Sequence, residues 1–217
     1  MSRLPERLLL AGILLVAGLL YVGSAGFFDL ITTSYGSDVG HYVITAQSLA
    51  QGDGYRYVND PHRPLTARLP PLLPMLLSPL VAAFPHNVHV LRLFAAVLCL
   101  GAVVCCYVYL RRVAPAWALG ITALFALNVH VVSTAAIPQS DLTFTMLLYA
   151  ILGLCTACGT RTTLGDAALA PLIVLIVLAV YTRIVALALV PAVTLWLWWI
   201  GRRRAAVVVL ALVLLGV

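Results

Sequence analysis

Two aspartates, Asp38 and Asp141, have the residue type and setting to do chemistry. Asp38 follows Tyr35-Gly36-Ser37, shortly beyond the first apolar run, where a helix is expected to start. A carboxylate there can take a proton from an acceptor hydroxyl as a general base, or help hold a divalent cation (Mg or Mn) against a phosphate leaving group. The competing reading is structural: an acid in a first helical turn complements free N–H groups and the helix dipole. Asp141 follows Pro138-Gln139-Ser140 at the mouth of a later apolar segment. Charge near a bilayer is costly unless solvated or paired, so an acid there is a functional candidate, with capping by Ser140 or Asp141 again the plain alternative. Arg183 lies between two apolar runs, where its planar fork can grip a phosphate or its stem can snorkel to lipid headgroups. Arg68, just before Pro70, is a weaker candidate for the same work. His41 and Tyr42 follow Asp38 on one expected helix as candidate substrate contacts, although His41 reads more readily as an exposed helix residue than as a ligand. A histidine metal site would need converging partners that the sequence does not display, which leaves Asp38 as the candidate for a cation.

These residues sit in a chain that is otherwise nearly continuous hydrocarbon. It is 63% hydrophobic and 9% charged, with a mean hydropathy of +1.08, against about 25% charged residues in a soluble domain. No soluble fold could hide that much apolar surface, so the sequence reads as an integral membrane protein. All thirteen basic residues are arginine. The net charge of +6 raises nucleic-acid binding, but the arginines stand mainly at the ends of apolar runs, as membrane topology demands, and no nucleic-acid partner is expected. The five cysteines lie within or at the ends of apolar segments. Cys155-Thr156-Ala157-Cys158 has redox or metal spacing, but without a second pair or a nearby histidine it reads as small membrane-helix residues.

The apolar runs predict an all-α, polytopic transmembrane protein of about six to seven spans, each needing roughly 20 apolar residues. Leu8 to Tyr21 is the first, flanked by Arg3 and Arg7, and reads as a retained signal anchor or, less readily, a cleaved signal peptide. Residues 24–89 form a polar island, read as the first extracytoplasmic loop; it holds Asp29, Asp38, Asp53 and Asp60. Within it, Ser37 as N-cap and Gly52 as stop predict a short amphipathic helix at the membrane surface, with Tyr42, Ala46, Leu49 and Ala50 on one face. Pro70-Pro71 opens a second short apolar piece ending near Phe84, expected to be interfacial or re-entrant. Later runs are Val90 to Leu110, Trp117 to Ala136, Leu142 to Cys158, a tight pair from Ala167 to Tyr181 and Ile184 to Ile200, and a last run from Ala205. The positive-inside rule places Arg111-Arg112, Arg161 and Arg202-Arg203-Arg204 in the cytoplasm with the N-terminus, and Asp38, Asp141 and Arg183 outside.

Asp38-Val39-Gly40-His41-Tyr42, then Gly52 and Gly54-Tyr55, then Pro70-Pro71-Leu72-Leu73-Pro74, resembles the first outer loop of C-type (GT-C) membrane glycosyltransferases. The nearest branch is the bacterial one with aminoarabinose-transferase-like and protein-mannosyltransferase-like enzymes. Gln139-Ser140-Asp141 resembles the family's second acidic site, and Tyr181-Thr182-Arg183 its Thr-Arg turn, although Ile184 stands where the family often has proline. The resemblance runs over nearly all 217 residues as a single membrane-embedded domain. It implies an inverting transferase that takes a sugar from a polyprenyl-phosphate donor to a lipid, glycan or protein acceptor on the outer face of a bacterial inner membrane. Asp38 would be the catalytic acid/base or metal-linked carboxylate, Asp141 the second acid and Arg183 a donor-phosphate contact. Family members are usually longer, with more spans, and the sequence reading expects a fragment, a truncated product or one half of a split protein. The alternatives are an inactive fragment or scaffold, and a transporter of a lipid-linked intermediate. The last is disfavoured because span interiors are almost free of charge.

Overall fold

The computed structural model describes residues 3–24, 38–62, 64–66, 69–85, 87–160 and 169–216. Every element among them is helical apart from an isolated bridge between Arg56 and Leu65. In chain order the helices are α1 (Arg3–Ser24), α2 (Asp38–Gln51), α3 (Leu72–Ala83), α4 (Val88–Val113), α5 (Ala118–Ala126), α6 (Val129–Ala135), α7 (Ser140–Thr160), α8 (Leu169–Thr182), a 3-10 turn (Ile184–Ala188) running into α9 (Leu189–Trp199), and α10 (Arg203–Gly216).

Three of these, α1, α4 and α7, are long and apolar enough to cross a membrane, and the bent pair α5–α6 makes up to four. The expected span from Trp117 to Ala136 is broken by 56° between α5 and α6. Asn128 is the cause: its backbone is extended, and its side chain accepts from the backbone N–H of His130, which caps a new helix in mid-run. The run from Ile184 to Ile200 is also divided. Pro191 lacks an N–H and crowds the carbonyl four residues earlier, so regular α geometry is confined to α9 while Ile184–Ala188 winds as 3-10.

The central scaffold is α4 with α7. The pairs Gly101–Met146 and Tyr109–Tyr149, the latter with ring centroids 5.9 Å apart, run in the same order along both helices, so the two are parallel. Arg112 donates to the carbonyl oxygen of Gly153 at the far end. The contact at Gly101 is tight: a Cβ there would lie 2.7 Å from Met146 Sδ. Helix α1 packs antiparallel on α4. Glu6 meets the C-terminal turn of α4, accepting from Tyr107 Oη at 2.6 Å and pairing with Arg111 Nε at 3.2 Å. At its other end Tyr21 Oη donates to the Ala126 carbonyl and Ser24 Oγ to that of Val132. Along α1 these two anchor points, Glu6 and Ser24, lie about 27 Å apart.

Three buried clusters fill the spaces. One joins α7 to α8, α9 and α10 through Ile151, Leu172, Ile176, Leu197 and Val209. A second joins α1, α4, α6 and α7 around Tyr21, Cys99, Val103 and Leu142. The third seats α2 on α3 and the start of α4 through Tyr42, Ala46, Leu73, Leu77 and Leu91. The buried face of α2 differs from the expected one. Val39, Tyr42, Thr45, Ala46 and Ser48 are buried, while Leu49 is half-buried and Ala50 exposed. Ser48 goes inward because its hydroxyl donates to the Gly54 carbonyl, and Gly52 ends the helix with a φ of 82°. The expected N-cap Ser37 lies outside the described residues.

The close approach at Gly101 has a measurable consequence. Gly101→Leu is expected to lower stability by about 2 kcal/mol through overpacking against Met146. Met146→Ala in the same chain should recover most of that loss in an unfolding titration in detergent, and equal losses in the single and double variants would contradict the packing described.

Candidate functional site

One end of the helical assembly collects Asp38 and Asp141. Helix α2 begins at Asp38 and α7 at Ser140, so each carries an aspartate in its first turn. Both helices point the positive ends of their dipoles at these carboxylates. Helix α8 ends at Thr182, and the extended backbone of Arg183 (φ −151°, ψ 133°) precedes the next helical run.

The side chains at these ends meet. Tyr42 Oη donates to Ser140 Oγ at 2.9 Å, joining α2 to α7 across 98 residues of sequence. Arg183 pairs with Asp141 through one guanidinium nitrogen, joining the end of α8 to α7. Burial pushes the Tyr42 phenol above its ordinary value of 10; the Ser140 hydrogen bond opposes that shift, Asp38 adds to it, Arg183 opposes it and Asp141 adds to it. All three charged residues therefore lie within electrostatic reach of one phenol. Asp38 is itself exposed, and His41, one turn along, is half-buried.

Of the sequence candidates, Asp38, Tyr42, Asp141 and Arg183 are gathered at this rim. Arg68 lies outside the described residues. His41 instead faces Tyr57, with ring centroids 5.1 Å apart at 62°. Its Nδ1 and the Tyr57 hydroxyl are both buried and find no hydrogen-bond partner among the described residues. Tyr57 belongs to the segment after α2, which is held by the Tyr57 N–H to the Pro64 carbonyl and the Thr66 N–H to the Tyr55 carbonyl. Tyr55 Oη in turn donates to the Leu69 carbonyl at 2.9 Å. Sequence reasoning missed Tyr57 because its role depends on that folded-back segment, and a tyrosine two residues beyond Tyr55 carries no distinguishing pattern.

Among the described residues no three His, Cys, Asp or Glu side chains converge as a metal cage. Asp38, exposed at the start of α2, would suit Mg or Mn only with phosphate oxygens completing the shell. The arrangement has the chemical parts for anion handling at an interface. An arginine fork and helix N-termini can receive a phosphate, and an exposed carboxylate beside them can accept a proton.

Compared with protein-family models, with curated proteins and with solved structures, the chain finds no match.

Two expectations follow from this geometry. Removing an unpartnered buried hydroxyl relieves a desolvation cost, so Tyr57→Phe should raise stability by about 1 kcal/mol; a fall in the unfolding midpoint would reveal a partner for that hydroxyl. Burial also pushes the Tyr55 phenol to about 12; a hydrogen bond with Thr45 opposes the shift, and Tyr42 and Tyr57 add to it. A phenol whose folded value is raised contributes stability that is full below its unfolded value and lost as pH rises through the folded one. Stability should thus hold up to pH 10 and decline between pH 10 and about 12. Tyr55→Phe should flatten that decline in a pH series of unfolding titrations.

Proposed function

We propose that this chain is a membrane glycosyltransferase of the GT-C type, or the part of one that carries its catalytic rim. The observation that carries the reading is the meeting of Asp38, Tyr42, Ser140, Asp141 and Arg183 at one end of the helices, drawn from three distant stretches of sequence. These are the stretches whose motifs resemble that family.

In this reading the carboxylate end faces the extracytoplasmic side of a bacterial inner membrane and the arginine end faces the cytoplasm. The chain crosses the bilayer about six to seven times, with α8 and the 184–199 run as a helical pair thinner than a full 30 Å core. The tail of a polyprenyl-phosphate donor stays in the hydrocarbon, which brings its phosphate and sugar to the rim. Arg183 exchanges its exposed pairing with Asp141 for the donor phosphate. Asp38 takes the proton of the acceptor hydroxyl as that oxygen bonds to the anomeric carbon. The bond from the anomeric carbon to the phosphate oxygen breaks, and the phosphate leaves with the electron pair, its charge held by Arg183 and the helix N-termini. A Mg or Mn ion, if bound by the aspartates, would add charge neutralisation at the phosphate. The acceptor is a lipid, glycan or protein hydroxyl, and α2 with α3 roofs the rim. Charge concentrated at the helix ends supports surface chemistry over alternating access.

The test is sugar transfer in proteoliposomes from radiolabelled polyprenyl-phosphate hexoses and pentoses to a membrane-lipid acceptor. Asp38→Asn should reduce transfer by about 100- to 10,000-fold, as loss of a general base does, with insertion unchanged. Arg183→Gln should raise the donor KM more than it lowers kcat. Undiminished transfer by Asp38→Asn would remove that carboxylate from the reaction. Placement of positions 38 and 141 on opposite leaflets by cysteine labelling would rule out the site altogether.

A further inference from the structure

The opposite end of the molecule has a second concentration of chemistry, at the turn between α9 and α10. Gly201, with a φ of 82°, closes α9: the Gly201 N–H donates to the Trp198 carbonyl and the Arg202 N–H to the Leu197 carbonyl at 2.9 Å. This double closure satisfies the last carbonyls of α9 and reverses the chain within a few residues. Helix α10 then starts at Arg203, with no acid in its first turn. Arg203 and Arg204 are both exposed there. Two cations at a helix N-terminus stand where the dipole favours anions, and the carbonyl end of α9 that would attract them is already closed by Gly201 and Arg202.

The aromatic surroundings narrow the partner. Leu197 is fully buried, whereas Trp198 and Trp199 are 50% and 85% exposed. The guanidinium of Arg203 lies over the Trp198 ring at 5.3 Å from its centroid. That stacking covers one face of the guanidinium and leaves its N–H edge to point elsewhere. Outward tryptophans next to arginines, at the end of an apolar helix, match the headgroup level of a bilayer, where indole sits between hydrocarbon and water. Soluble acidic partners and nucleic acids would use the arginines but leave the tryptophans and the exposed Leu195 unexplained.

We propose that the Gly201 turn is a binding site for the headgroup of an anionic phospholipid. Arg203 and Arg204 receive the phosphate at the positive end of α10. Trp198 and Trp199 lie against the glycerol and upper acyl chain. The proposal rests on the membrane-crossing part of the preceding reading and is independent of the transferase chemistry.

The test uses the full chain, with Trp117→Phe to remove one remote reporter, in phosphatidylcholine vesicles. Tryptophan emission is followed as dibrominated phosphatidylglycerol or dibrominated phosphatidylcholine replaces the host lipid. The expected result is stronger quenching by the brominated phosphatidylglycerol, with its relative affinity falling about fivefold for each of Arg203→Gln and Arg204→Gln. Arg203→Lys with Arg204→Lys should keep part of the preference, since charge remains and the fork is lost. Equal quenching by the two brominated lipids in the parent chain overturns the site, as does a preference unchanged in the glutamine variants. Loss of the preference on adding inorganic phosphate at moderate concentration, at an ionic strength matched with chloride, would show a general phosphate site and overturn the lipid assignment. If the glutamine variants fail to insert, a parent preference unaffected by raising chloride overturns the arginine contact. Absence of quenching by either lipid would instead show that these helices do not meet the bilayer, which removes the membrane reading along with the site. Lost selectivity in variants that still transfer sugar leaves the transferase reading intact and supports the site.

Discussion

Hydrocarbon cannot hydrogen-bond, so a chain this apolar can keep a charge only at the end of a helix or against a partner. The structure obeys that constraint at both ends of α4 and α7. Asp38 and Asp141 gather at one end, Arg111, Arg112 and the 202–204 arginines at the other. The two clearest exceptions are informative. Glu6, the acid at the arginine end, is held by Tyr107 and Arg111. Arg183, an arginine at the carboxylate end, is held by Asp141. Both of these charges are therefore neutralised where they stand, and both pairings cross from one helix to another. The same contacts that make the charges tolerable fix which helix ends lie side by side.

The energies of these contacts divide the labour between stability and placement. The Arg183–Asp141 side chains are 37% and 61% exposed, and exposed pairs contribute about 0–1 kcal/mol. That pair cannot be what holds α8 on α7. The buried cluster of Ile151, Leu172, Ile176 and Leu197 does so instead, through close van der Waals packing, the term that remains when the alternative surroundings are hydrocarbon. Packing sets the approach of the helices, and the ion pair sets only where the guanidinium points. A contact that is cheap to break is also easy to exchange, and a phosphate arriving at the rim competes with one carboxylate rather than with a helix interface.

Much of the architecture was legible because hydrocarbon periodicity and flanking arginines are strong signals. The bounds of α2, α4 and α7 follow closely from Gly52, Arg111-Arg112 and Ser140-Asp141. The expectation that Asp38 and Asp141 share one face came from topology alone, since no spacing rule relates positions so far apart. What the sequence hid was local competition within apolar runs. Asn128 looks like one polar residue in a span, yet its side chain caps α6 and breaks the run. Ser48 looks outward by helical periodicity, yet the Gly54 carbonyl draws it in. Tyr42 was named beside Asp38, but its partner Ser140 depends on how α2 docks on α3 and α4, which the pattern of α2 does not encode. Among the described residues the helices long enough to cross a membrane number three or four, because α3, α8 and the 184–199 run are apolar but short.

The break at Arg183 shows how a helix interruption can place a functional side chain. A continuous helix from Leu169 to Trp199 would carry position 183 on a lateral face, at whatever angle periodicity dictated. Here α8 stops at Thr182, the Arg183 N–H still donates to the Ala179 carbonyl, and its own carbonyl accepts from the Ala186 N–H. The backbone at 183 is thus extended but fully bonded, which removes the penalty an interruption would otherwise incur in an apolar setting. Pro191 limits regular α geometry on the far side, so the chain between 182 and 189 is wound more tightly than either neighbour. The guanidinium is carried on this junction toward the first turn of α7, where Asp141 and the helix dipole present one region of opposite and one of like sign. A side chain balanced between those two fields is held in place by geometry more than by binding strength, and that is the condition under which an incoming anion can redirect it.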